Sequence, residues 1–349
     1  MRAAVYYGNR QLNIEDVPEP SVVDGHAKVE VSRNGICGTD LHEYYDGPIF
    51  IPASEPHPLT GKALPVVIGH EFSGVVTDVG KCVAGIAEGD RVAIEPIYRC
   101  GHCRPCTTGR YNICNSVGFH GLMADGGMAE YTVVPENMIH HLPDSVSLEM
   151  GALVEPMSVA YHAARLGDVN DQSQALIFGG GPIGIGLWFA LRGLGLTEID
   201  VVEPVEARRQ ALDALGARTL DPAVIDVPAM IADRTDGNGV DAAYVAAGVA
   251  RAVAAALECV GERRPLISVA IYSAPLETPL LNLVLKERRI QGTLCYTADD
   301  YAAVIALMAD GHYDTTGWVD TIAMGNVVED GYEPLHAGQK MKLLVDPSR

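Results

Sequence analysis

Residues 174–194 read QALIFGGGPIGIGLWFALRGL. A short apolar run ends in three glycines, and an apolar stretch of helical length follows. That order of strand, tight turn and helix opens a parallel α/β unit. Within it, Gly179-Gly180-Gly181-Pro182-Ile183-Gly184 fits the G-x-G-x-x-G pattern. Gly179 makes the turn, Gly181 lets a pyrophosphate approach the backbone, and Gly184 lets helix and strand pack closely. The helix start at Pro182 and Ile183 would then face the phosphates with free N–H groups. Glu203 follows Gly184 by nineteen residues, at the end of the next apolar run. A carboxylate there can accept hydrogen bonds from the adenosine ribose and would repel a 2′-phosphate, which favours NAD over NADP. Arg208, five residues on, works against that preference. Without the glycines, Glu203 would read as a solvated acid at a strand end.

Outward from this motif the alternation continues. Strands are expected at Glu198–Glu203, Ala242–Ala246 and Pro265–Val269, with helices at Ile183–Leu194 and Val205–Leu215. Upstream, Leu148–Leu166 reads as one helix. Before residue 150 the pattern changes to short apolar runs punctuated by turns, such as Lys28–Val31, Ser73–Val79 and Arg91–Ile94, which suggests an irregular, mostly β domain. The tail holds a helix, a turn-rich stretch and a last strand, Lys342–Val345, and is expected to return to the first domain. The expected division is 1–152 with 290–349, and 153–289. Lys342 is counted with the Gly motif, Glu203 and Arg208 among the cofactor contacts.

Composition narrows the function classes. The chain has 349 residues, 48% hydrophobic and 20% charged, with a net charge of −20. Such acidity excludes a nucleic-acid binder that must displace counterions with a basic face. Ala175–Leu191, the most apolar stretch, carries five glycines and Pro182, and is no membrane span. The N-terminus turns polar too early for a signal peptide, so a cytoplasmic location is expected. Eight cysteines occur, and Cys100, Cys103, Cys106 and Cys114 crowd into fifteen residues. Thiolates are soft ligands, and four at this spacing suit a closed, structural zinc site better than four unrelated buried thiols.

A third group is scattered: Cys37, Thr39, Asp40 and His42 in GICGTDLH, His70 and Glu71 in GHEFSGVV, and Glu155 in VEPMSVAYH. Each residue type suits zinc or proton transfer, but no short spacing joins them, and each alone could be a packed core residue. Together with the four-cysteine lobe and FGGGPIGIG, in this order over essentially the whole chain, these motifs make it resemble the zinc-dependent medium-chain dehydrogenases. The resemblance implies a GroES-like, mostly β catalytic domain and a Rossmann domain with a doubly wound parallel sheet. It implies a catalytic zinc on Cys37 and His70, with Glu155 or Glu71 completing the shell, and a structural zinc on the four cysteines. It further implies hydride transfer from a secondary alcohol to NAD. Zinc acts there as a Lewis acid, and Thr39 passes the alcohol proton through the cofactor ribose to His42 and water. Asp40 is expected to fix local backbone.

Thirty-two residues separate Cys37 from His70, against about twenty in many relatives, as the family resemblance implies. That insertion and the ending VVEDGYEPLHAGQKMKLLVDP resemble the branch acting on vicinal diols such as 2,3-butanediol and on acetoin. A surface loop of no catalytic meaning is the competing reading of the insertion. Sorbitol or threonine dehydrogenase, and a non-catalytic NAD-binding zinc protein, are the alternatives. A homodimer or homotetramer is expected.

Overall fold

The computed structural model describes residues 1–272 and 275–349. It divides into two compact units: Met1–Glu155 with Thr297–Ala309 and Trp318–Arg349, and Pro156–Tyr296 with Asp310–Gly317. The first unit extends to Glu155 rather than 152. The chain rejoins it at 297 rather than 290, because Arg289–Gly292 is still a strand of the second unit's sheet.

The first unit is built on a seven-stranded sheet. Its path runs Ile139–His141, Arg91–Ile94, Glu71–Val79, His26–Gly35, Lys342–Asp346 and Val319–Ala323, and Tyr131–Pro135 also pairs with His26–Gly35. Alternate residues Val29, Val31, Phe72, Val76, Val92, Ile94 and Val134 bury one common face, as the two-residue period of a strand requires. Register matters more for function than the core does. Gly35 lies opposite Glu71 in an antiparallel pair, and Leu344 lies opposite Gly35 on the other side. Three distant segments therefore end side by side: 35–37, 70–71 and 342–344. The strand Val319–Ala323 and a π-helical segment, Val327–Tyr332, occupy the stretch read from sequence only as turns. Asp320 and Thr321 are exposed, so that strand carries no clear apolar alternation.

The second unit is a six-stranded, all-parallel sheet in the order Arg218–Leu220, Glu198–Val202, Gln174–Phe178, Ala242–Val245, Pro265–Ser268, Arg289–Gly292. The strand order reverses at Gln174–Phe178, and such a switch point leaves a crevice at the carboxyl ends of the strands. The helix Pro182–Gly193 buries eight residues in a row, Gly184 to Leu191, so the glycine turn is fixed to a fully packed element. The expected helix at 148–166 is two helices, Leu148–Ala152 and Val154–Leu166, which meet at Leu153. No helix among the described residues is long and apolar enough to cross a membrane.

Candidate functional site

The glycine turn forms as its residue types dictate. Gly179 has φ +106°, a conformation L side chains rarely adopt. A Cβ at Gly184 would strike the Gly179 carbonyl, so only glycine lets the helix start this close to the turn. A Cβ at Gly181 would meet nothing within 4 Å, so the backbone there is open to a ligand. Glu203, only 2% exposed, accepts hydrogen bonds from the N–H groups of Gly180 at 2.6 Å and Val205 at 2.8 Å. The acid is thus tied to the glycine turn itself, a link that its position in the sequence does not reveal. The Arg208 guanidinium stands 3.9 Å from the same carboxylate. Gly179, Gly181, Glu203 and Arg208 all line one cavity of about 560 Å³. An open glycine, a helix start and a fixed acid on one cavity fit the phosphates and ribose of a dinucleotide.

The four-cysteine lobe closes on itself. Sulfur atoms of Cys100 and Cys106 lie 4.0 Å apart, and those of Cys103 and Cys114 lie 3.8 Å apart. A tetrahedron with Zn–S bonds of ~2.3 Å has edges of about 3.8 Å, so the spacing fits zinc. The electrostatics agree. Backbone N–H groups of Asn115 and Cys106 lower the Cys103 thiol to about 6, whereas burial pushes Cys106 up to about 12. Four such thiols ionise together only around a cation. Tyr111 anchors the lobe: its hydroxyl donates to buried Glu95 at 2.6 Å, and the Arg99 guanidinium lies 4.0 Å over its ring.

The scattered residues come together at the ends of the paired strands. Cys37, His70 and Glu71 offer ligand atoms that all lie within 4.8 Å of one another. Gly35 is required there, since a Cβ would collide with the Glu71 carboxylate. Cys37 precedes the helix Gly38–Asp46, and Asp40 in its first turn accepts from the Cys37 N–H at 2.8 Å. Asp40 was expected to do that much. Its other oxygen also stands 3.5 Å from Nδ1 of His70. A carboxylate behind a ligating histidine fixes its tautomer and ring orientation.

Lys342, expected among the cofactor contacts, is committed inside this unit. Its ammonium donates to the Ile36 carbonyl at 3.0 Å and to the Glu71 carboxylate. The pairing of the last strand against residues 34–36 puts it there. Glu155 is buried at the start of the helix Val154–Leu166, and its charge acts on Lys342, which places it toward the same face. It is not one of the three residues whose donor atoms cluster. Burial opposes charge on both His70 and Lys342, yet the surrounding anions outweigh it. Asp40 and Cys37 hold the His70 pKa well above its usual value, and Glu71 raises that of Lys342. A group of sulfur, nitrogen and carboxylate donors in surroundings that favour positive charge fits a zinc ion.

Thr39 and His42 share the Gly38–Asp46 helix. Thr39 is partly buried, while the His42 side chain is 47% exposed and its Nδ1 lies 3.8 Å from Asp46. The insertion after this helix is firmly held. The buried Glu43 carboxylate accepts from the N–H groups of Ile49, Phe50 and Ile51, and Lys62 pairs with Asp125 at 2.7 Å.

Comparison with known proteins agrees with this assembly. Residues 23–144 match the model of the alcohol dehydrogenase GroES-like domain, and residues 182–310 match that of the zinc-binding dehydrogenases. The chain is 39% identical to (R,R)-butanediol dehydrogenase of Bacillus subtilis and 35% identical to (R,R)-butanediol dehydrogenase of Neisseria gonorrhoeae, in each case over all of both chains. The crystal structure of 2R,3R-butanediol dehydrogenase from Bacillus subtilis superposes with a TM-score of 0.93, covering 99% of each chain. The chain belongs to the zinc-binding alcohol dehydrogenase family, an enzyme family whose zinc and nicotinamide dinucleotide its two units have the residues to hold.

Proposed function

We propose that this enzyme oxidises a vicinal diol, (R,R)-2,3-butanediol, to acetoin, and reduces acetoin or diacetyl in reverse, with NAD as the hydride carrier. The carrying observation is the mixed-donor group Cys37, His70 and Glu71 in a chain that matches butanediol dehydrogenases from end to end. Zinc, when bound, supplies a Lewis acid that lowers the proton affinity of the substrate oxygen. Cys37, His70 and Glu71 would hold it, and Glu155 would be a further donor from the start of the helix Val154–Leu166. Lys342 offsets the excess negative charge and restrains Glu71. Thr39 would accept the alcohol proton while passing its own hydroxyl proton on. A hydroxyl has no base strength of its own, so the relay ends at His42, whose exposed ring meets solvent. Glu203 selects NAD by occupying the place of a 2′-phosphate. A diol's second oxygen, once paired in the site, lets the enzyme reject mono-alcohols, because their binding leaves a buried polar group unpaired.

The enzyme works in a reducing, cytoplasmic setting that keeps its thiols available for metal, and it assembles as a homodimer or homotetramer. The sheet of the second unit ends in Arg289–Gly292, with Ile290 exposed. Beside it the helix Leu280–Lys286 exposes Leu280, Leu281, Val284 and Leu285, each more than 60%. An open strand edge beside an apolar helix is self-complementary about a two-fold axis, and a second copy covers both. Leu281→Asp should therefore shift the enzyme to monomers in light scattering.

The functional test is kcat/KM for (R,R)-2,3-butanediol, sorbitol and L-threonine with NAD and with NADP, followed by NADH or NADPH absorbance. The diol with NAD should exceed every other pair by at least about 100-fold, a discrimination that a hydrogen-bonded substrate group readily supplies. Sorbitol or threonine in first place would overturn the substrate, and parity of NADP with NAD would overturn the role of Glu203.

A further inference from the structure

Buried polar atoms without a well-aligned hydrogen-bond partner among the described residues include Oδ1 of Asp40, Nδ1 of His70 and the hydroxyl of Tyr332. The first two face each other at 3.5 Å. The third has no role in the chemistry described so far. Tyr332 is fully buried. It ends the π-helical segment Val327–Tyr332, a rare geometry that recurs at functional sites. This segment is pressed against the site's own strand. A Cβ on Gly331 would come within 2.8 Å of the Ile36 side chain, one residue before Cys37. The Tyr332 ring lies edge-on to Tyr44 at 5.3 Å, on the helix that carries Asp40. Burial and then the charges of Asp40 and Cys37 raise the Tyr332 pKa, so the phenol keeps its proton and remains a donor. A phenylalanine would pack in this apolar surround without leaving a hydroxyl to satisfy.

We propose that Tyr332 is a positioning residue for the metal site: its hydroxyl donates, through one bridging water, to Oδ1 of Asp40, and so holds Asp40 against Nδ1 of His70. The buried atoms give such a water two or three polar partners, the number a buried water needs. Asp40 is then fixed at both oxygens, one by the Cys37 N–H and the other by Tyr332 and His70. Both metal-binding side chains at this end of the strand are set by a single carboxylate. This inference rests on the zinc reading of Cys37, His70 and Glu71.

The test uses the holoenzyme and the rate at which zinc passes to a chelating dye. The phase belonging to Cys37 and His70 is identified as the one missing in Cys37→Ser. Tyr332→Phe should speed that phase by about 10-fold, the low end for loss of an outer-shell partner. The four-cysteine phase and the thermal midpoint should stay unchanged, and kcat should fall more than KM rises. Asp40→Asn should speed the same phase, and the double variant should release zinc no faster than Asp40→Asn alone, because both act through one carboxylate. Unchanged zinc release in Tyr332→Phe, or fully additive effects in the double variant, would overturn the proposal. A wild-type enzyme with no releasable zinc beyond the four-cysteine site would instead refute the metal-site reading beneath it.

Discussion

The two metal-binding groups of the first unit are built on opposite plans. The lobe draws Cys100, Cys103, Cys106 and Cys114 from one short loop, with three backbone N–H groups on the Cys100 and Cys114 sulfurs and no further metal donor grouped with them among the described residues. The mixed-donor group draws Cys37 from a helix start, His70 and Glu71 from a strand start, and its support from Asp40 and Lys342. Four like ligands close a tetrahedron and leave no open position, which suits stability. Unlike ligands brought from afar keep a position for substrate, and their geometry depends on the whole sheet. On the proposed assignment, chemistry sits where the fold is most collective, and the local loop holds shape.

The largest expected effect follows from the lobe. Cys106→Ser should lower the thermal midpoint by more than about 10 °C, since binding energy of structural zinc is folding energy. A midpoint within 2 °C of wild type in calorimetry would show that the lobe does not serve stability. Within the mixed-donor group, Glu71→Gln should weaken zinc affinity by about 10- to 100-fold, and Glu155→Gln by much less, as measured by competition with a chelator. The reverse ranking would make Glu155 the third ligand.

The support of the mixed-donor group should also show in pH. His120 packs on Phe72, the neighbour of Glu71, with ring centroids 5.6 Å apart, and bonds Tyr98 at 3.0 Å and Thr132 at 2.7 Å. Burial lowers its pKa to about 4. In the unfolded chain it takes up a proton near 6.5, so the unfolded state binds more protons between those values. Stability is complete above pH 6.5 and falls as pH drops toward 4, by about 3 kcal/mol at most from this group. His120→Asn should flatten that part of the denaturation profile, and an unchanged slope would assign the loss elsewhere. The smallest effect concerns His42. His42→Ala should slow diol oxidation several-fold at low pH and little at high pH, where solvent base takes the proton. A kcat profile parallel to wild type, only lower, would remove His42 from the proton path.

What could be read from sequence tracks the same contrast. The four cysteines and the glycine turn are each local in the chain, so spacing and immediate context pointed to their chemistry. Cys37, His70 and Glu155 are separated by 32 and 84 intervening residues, and only the family resemblance joined them. Lys342 was placed on the cofactor because its strand pairing with residues 34–36 is a tertiary fact. Asp40 behind His70 and Tyr332 behind Asp40 depend on side-chain directions that no periodicity carries. The apolar alternation of the sheet and the strand–helix order of the second unit were legible because burial imposes them residue by residue.

The division of labour between the two groups rests most directly on the zinc content of purified Cys37→Ser, measured with its NAD affinity and its NADH production from (R,R)-2,3-butanediol. The account predicts a folded chain with one zinc in place of two, NAD bound as in wild type, and no NADH formed. Two zinc ions with retained turnover, or one zinc in a fully active wild-type enzyme, would contradict it.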